Sequence, residues 1–124
     1  MPKKILLVDD EKDLVATVSF RLESKGYNVV TSYDGMDALE KVKKVKPDLI
    51  ILDLMLPKMD GYRVCALLKK NAQYSAIPII IFTARAEESD VALTKEAGAN
   101  AYITKPFDPD VLLAKIKELL KEGQ

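Results

Sequence analysis

The chain has 124 residues, the size of one domain, with 48% hydrophobic residues, 31% charged residues and a formal net charge of zero. That balance supplies a core and argues against a polyanion such as nucleic acid as a direct partner. One cysteine, Cys65, and no histidine exclude an internal disulfide, a cysteine metal cluster, a His-based triad and a phosphohistidine on this chain.

The first apolar run, residues 5–8, is too short for a signal peptide or a membrane span, so a cytoplasmic location is expected. With Lys4 before it, the run reads as a strand buried on both faces, closed by Asp9, Asp10 and Glu11. Leu14, Val15, Val18 and Leu22 then mark one face of a helix that Gly26 stops. Residues 28–32 read as a second strand. A second helix starts at Asp34 and Gly35, carries Ala38, Leu39, Val42 and Val45 on one face, and ends before Pro47. Residues 49–52 form a third apolar strand that ends in Asp53. After a loop, a helix runs from about Gly61 to Asn71, with Asp60 as its cap and Cys65 as a small buried hydrophobe. Residues 77–82 are the fourth strand, with Pro78 at its start. A helix over residues 88–97, a fifth strand over 101–104 and a helix opened by Asp108 and Pro109 complete the chain. The last helix is expected to bury Leu112, Leu113, Ile116, Leu119 and Leu120. The alternation predicts an α/β domain over residues 1–124, with a mostly parallel sheet, helices on both faces, and a tail at 119–124 that suits the start of a linker.

Within this layout the unusual polar residues share a location. Asp9 and Asp10 follow the first strand, Asp53 the third, Thr83 the fourth and Lys105 the fifth. Parallel strands bring these ends to one edge of the sheet, where open α/β sheets bind ligands. Taken singly, each has a plainer reading. Asp53 could cap a turn, Lys105 could be a solvated turn residue, Thr83 could end a strand, and Tyr102 could only pack. Convergence of four loops on one edge favours a site. Asp60 and Asp108 read better as helix caps, and Glu11 as a first-turn acid that suits the helix dipole.

Three carboxylates together repel, at about 3 kcal/mol per pair for ~5 Å and an effective dielectric of ~20. A hard divalent cation relieves this, and oxygen donors without His or Cys point to Mg²⁺, with Mn²⁺ as a substitute. Lys105 adds a point charge and Thr83 a hydroxyl, which together with backbone N–H groups suit a phosphoryl group. The Asp53 carboxylate is then the natural acceptor, giving an aspartyl phosphate.

These residues resemble the receiver domains of two-component response regulators, the family that includes the single-domain chemotaxis regulator. The resemblance rests on Val8-Asp9-Asp10, on Asp53 with Pro57 and Gly61, and on Thr83-Ala84, Tyr102 and Lys105-Pro106-Phe107. It implies a five-stranded flavodoxin-like sheet in the order 2-1-3-4-5. It makes Asp53 the phosphoacceptor, Asp10 a direct Mg²⁺ ligand, Asp9 a ligand mainly through water, and the Met55 carbonyl the remaining protein ligand. Lys105, the Thr83 hydroxyl and the Ala84 N–H become the phosphoryl contacts, Thr83 and Tyr102 the switch pair, and the Lys105-Pro106 bond cis. Arg85 falls where family members tune hydrolysis. The donor would be a sensor histidine kinase or phosphotransfer protein. The domain would catalyse its own phosphorylation and slow dephosphorylation without being a conventional enzyme.

Two other classes share parts of this pattern. An aspartate-based phosphohydrolase usually has a second acid two residues past its nucleophile, where this chain has Met55. A flavodoxin-like FMN binder would carry a Ser/Thr/Gly-rich loop after the first strand, where this chain has Asp9, Asp10 and Glu11. The ending from Lys105 to Leu113 resembles receivers attached to winged-helix transcription factors. Against that, Asn100-Ala101-Tyr102 lacks the acid often found before the tyrosine, and the preceding helix is poor in basic residues. The expected state is therefore a monomer or a phosphorylation-dependent dimer, with no membrane contact.

Overall fold

The computed structural model describes residues 2–84 and 87–121. Apolar runs too uniform for a one-sided sheet become strands covered on both faces. They are β1 (Lys4–Val8), β2 (Asn28–Ser32), β3 (Leu49–Leu52), β4 (Ile79–Thr83) and β5 (Ala101–Thr104). Between and after them lie α1 (Lys12–Ser24), α2 (Gly35–Val45), α3 (Gly61–Lys70), α4 (Glu88–Glu96) and α5 (Pro109–Leu120). All pairings are parallel and the sheet order is β2-β1-β3-β4-β5, as the family resemblance implied.

The period of two along the strands divides the core into two layers. Ile5, Leu7, Leu49, Ile51, Ile80 and Phe82 face α1 and α5, packing on Val15, Val18, Leu22, Leu112 and Ile116. Leu6, Val8, Ile50, Leu52, Ile79 and Ile81 face the other way, onto Ala38 and Val42 of α2 and Val64, Cys65 and Leu68 of α3. The central strands β3 and β4 are buried at every position.

The predicted caps are present. Asp34, Asp60 and Asp108 each accept a hydrogen bond from the N–H of a first-turn residue, and Pro109 opens α5. Three expectations shift. Ile77 and Pro78 precede β4; the Ile77 N–H donates to Tyr74 O in a turn, while Pro78 uses its carbonyl to accept from the Ile50 N–H at 3.0 Å. Leu119 and Leu120, in the last turn of α5, are half-buried and pack against the first core layer from outside it. Glu11 is the N-cap residue of α1, not a first-turn acid, and its side chain makes no capping bond. Among the described residues, no helix is long and apolar enough to cross a membrane.

Candidate functional site

The strand ladders run one residue past the strands and thereby fix the backbone of the site. The Asp9 N–H donates to Ser32 O at 3.0 Å, the Asp53 N–H to Val8 O at 3.0 Å, and the Lys105 N–H to Thr83 O at 2.8 Å. Each site residue is thus held by the strand beside it. The Lys105-Pro106 peptide bond is cis, as expected. Gly61 brings the start of α3 against the loop after β3, since a Cβ there would lie 2.2 Å from Asp53 O.

These anchors bring Asp9, Asp53 and Lys105 into contact. Lys105 Nζ donates to Asp9 Oδ2 at 2.6 Å and to Asp53 Oδ2 at 3.0 Å. The other oxygens are held by backbone: Asp9 Oδ1 accepts from the Glu11 N–H at 2.9 Å, and Asp53 Oδ1 from the Met55 N–H at 3.1 Å. The carboxylates are nearly fully buried, with Asp9 at 0% and Asp53 at 4% exposure. Burial pushes the Asp9 carboxyl above its ordinary range, against opposing hydrogen bonds from Lys105 and the Glu11 N–H. Burial also works against the Lys105 charge, but its hydrogen bonds to Asp9 and Asp53 outweigh this and hold the ammonium above the ordinary lysine value. Beneath the ammonium lies the Phe82 ring, with its centroid 5.2 Å away. Phe107 packs edge-on against Phe82 at 4.9 Å.

The remaining predicted residues fall around this centre. Asp10 is exposed beside Asp9, and one carboxylate oxygen from each of Asp9, Asp10 and Asp53 lies within 4.8 Å of the others. That oxygen-only set fits a hard cation such as Mg²⁺ and offers none of the nitrogen or sulfur donors that suit zinc. Met55 sits in the loop after β3 with its side chain turned to solvent. Thr83 is fully buried at the end of β4, and Ala84 after it is exposed. Tyr102 is half-buried against the second core layer. In the β4–β5 register Tyr102 pairs with Ile81 and Thr104 with Thr83, so Thr83 and Tyr102 occupy the same face of the sheet. Arg85 lies outside the described residues.

Among the contacts that the sequence does not reveal, two bear on this end of the sheet and the helices beside it. Glu11 Oε1 lies 3.5 Å from Lys105 Nζ. The Tyr62 hydroxyl donates to Asp90 Oδ1 at 2.8 Å, joining α3 to α4 across 28 residues. The acidic run after β1 was a signal for the first; no local pattern marks the second.

Residues 5–117 match the family model described as the response regulator receiver domain. The chain belongs to this family. The receiver domain is 47% identical over 124 residues to the alkaline phosphatase synthesis transcriptional regulatory protein PhoP of Bacillus subtilis (strain 168), covering 100% of this chain and 51% of the relative. It therefore spans about half the length of that curated protein. Among solved structures, a CheY-like response regulator receiver domain protein from Methanospirillum hungatei JF-1 has a TM-score of 0.92 at 32% identity, over 98% of this chain and 95% of the other. The BeF3-activated DrrB receiver domain has a TM-score of 0.88 at 34% identity, over 98% and 100%. This is a two-component signal-transduction domain, and receiver domains bind Mg²⁺ through acidic residues of the kind clustered here. Neither the phosphohydrolase nor the FMN reading finds support in these relatives.

Proposed function

We propose that Asp53 is the phosphoacceptor, taking a phosphoryl group from a phosphohistidine on a sensor histidine kinase or phosphotransfer protein. The donor's N–P bond breaks as a P–O bond to the Asp53 carboxylate forms, and the donor keeps its imidazole. One observation carries the assignment: Asp53 is a buried carboxylate at the sheet edge, held by Lys105 Nζ at 3.0 Å within an oxygen-only acidic cluster. A small phosphodonor such as acetyl phosphate can serve the same site.

Asp10, Asp53 and the Met55 carbonyl are the proposed direct ligands of Mg²⁺, with Asp9 acting mainly through water; Mn²⁺ suits the same donors. When bound, the ion neutralises charge on the phosphoryl oxygens. Lys105 contributes a second, fixed positive charge. The Thr83 hydroxyl and the Ala84 N–H are the proposed further phosphoryl contacts. Movement of Thr83 toward the added group opens space on the face it shares with Tyr102, which couples the site to β5 and its neighbouring helices. The result is a shift in partner binding or dimerisation. Slow hydrolysis of the acyl phosphate resets the switch.

A cytoplasmic site of action goes with this donor chemistry. The same reading treats residues 1–124 as one receiver domain, with 119–124 leading into a linker where the protein continues. Control of transcription, the role named for the Bacillus subtilis relative, is the output we favour. The domain itself would contribute without touching DNA, given its zero net charge.

The test is labelling with radioactive acetyl phosphate and Mg²⁺. Acid-labile phosphate is expected in the wild type and absent in Asp53→Asn, and undiminished labelling of that variant would overturn the assignment. Thr83→Ala should still accept label but lose phosphorylation-dependent partner binding or dimerisation. If that response survives intact, the proposed Thr83–Tyr102 coupling is wrong.

A further inference from the structure

We propose that Glu11 is a positioning residue for Lys105, holding its ammonium in place when a divalent cation draws on Asp9 and Asp53. The inference rests on the cation site proposed above.

Glu11 stands at the N-cap of α1, with φ −85° and ψ 99°, yet its side chain makes no capping hydrogen bond. The aspartates at the start of α2, α3 and α5 all cap their helices. Glu11 instead reaches toward the site. Its backbone N–H donates to Asp9 Oδ1 at 2.9 Å, which fixes the root of the side chain against the acidic cluster. Its Oε1 lies 3.5 Å from Lys105 Nζ.

Among the described residues, Lys105 Nζ therefore has three carboxylate partners, at 2.6 Å (Asp9), 3.0 Å (Asp53) and 3.5 Å (Glu11). Asp9 and Asp53 also belong, with Asp10, to the oxygen cluster that could hold a cation, and Glu11 does not. A cation entering that cluster competes with the ammonium for the two shared carboxylates and repels it. Among the described residues, Glu11 is the carboxylate partner left to Lys105. Its bond to the ammonium strengthens as the other two weaken, so it offsets part of the cost of cation binding. Because the Glu11 side chain is 65% exposed while that of Lys105 is 12% exposed, the effect is that of a part-exposed ion pair.

The experiment is Mg²⁺ titration by calorimetry on wild type, Glu11→Gln, Lys105→Gln and the double variant. About 0.5 M KCl screens the long-range field of an exposed charge. Glu11→Gln is expected to weaken Mg²⁺ binding by about two- to five-fold in the wild-type background, the range of such a pair. In the Lys105→Gln background the same change is expected to do nothing. An equal loss in both backgrounds, or no loss in either, overturns the proposal. Glu11→Asp provides a test that leaves Lys105 untouched. A contact that depends on reach loses affinity when the side chain is shortened, and retention of full affinity overturns the proposal. Absence of Mg²⁺ binding to the wild type would instead refute the cation site itself.

Discussion

Lys105 Nζ donates to Asp9 Oδ2 at 2.6 Å across 96 residues of sequence, and the same ammonium holds Asp53 Oδ2 at 3.0 Å. The side chains concerned are 12%, 1% and 6% exposed, so solvent screens these pairs weakly. Removing the cation leaves two buried carboxylates facing each other. Lys105→Met is expected to lower metal-free stability by roughly 3 kcal/mol, the low end for a broken buried pair. Mg²⁺ should restore part of that loss because it replaces the missing positive charge. Urea denaturation of both proteins, with and without Mg²⁺, measures the effect, and equal midpoints would contradict it.

Burial raises the folded-state pKa of Asp9 above the ordinary carboxylate range. A raised carboxyl pKa means that the folded state binds the proton more tightly than the unfolded chain. Its stabilising contribution is therefore present below the unfolded value and is lost as pH rises through the folded one. Asp9→Asn should remove this slope from the metal-free protein, visible in thermal melts from pH 4 to pH 7. Lys105 has the complementary sign. Its raised pKa makes the ion-pair contribution fully present below the ordinary lysine value, with loss only as pH rises through the folded value in the alkaline range.

Cys65 lies wholly buried in the core layer beneath α3, where its Sγ–H donates to Ala97 O at 3.7 Å. Burial pushes the thiol up to about 11. Both access and the scarcity of thiolate oppose alkylation. Iodoacetamide at pH 8 should leave the folded domain unlabelled and modify it stoichiometrically in denaturant. Rapid labelling of the native protein would contradict the packing described.

Asp90 is 3% exposed in the first turn of α4 and accepts the Tyr62 hydroxyl at 2.8 Å. Tyr62→Phe keeps the ring and removes that donor. The expected loss is about 1–3 kcal/mol, the cost of withdrawing a hydrogen bond from a buried charged group. Amide exchange should quicken in α4 more than in α1, since Tyr62 joins α3 to α4. Uniform quickening across the domain would point to global destabilisation instead.

Strand positions were legible because an all-apolar run between polar residues has one good use in a chain of this size, a strand covered on both faces. Leu49 to Leu52 and Ile79 to Phe82 obey that rule completely. The same rule places Ile77 in β4, but Ile77 lies in a turn, and Pro78 after it brings no N–H to the ladder. Helix starts were legible at Asp34, Asp60 and Asp108 because a short side chain accepting a first-turn N–H is a local interaction. Glu11 reads from its neighbours as a first-turn acid because its partner Lys105 is remote: the acidic run after β1 signals a place for a cation, but not which lysine fills it.

Chain order alone dictated that Asp9, Asp53, Thr83 and Lys105 would share an edge, since every strand preceding them had to run parallel once helices separated them. The residue types then limited the chemistry to oxygen donors, one ammonium and one hydroxyl. The pairing within that edge was decided by packing. The sheet order β2-β1-β3-β4-β5 puts β1 and β4 on either side of β3, while the Lys105 side chain spans from β5 back to Asp9. Spacing cannot say which strands become neighbours, because each crossover helix is long enough to reach either side. The distances at Lys105 Nζ follow from that choice of neighbours.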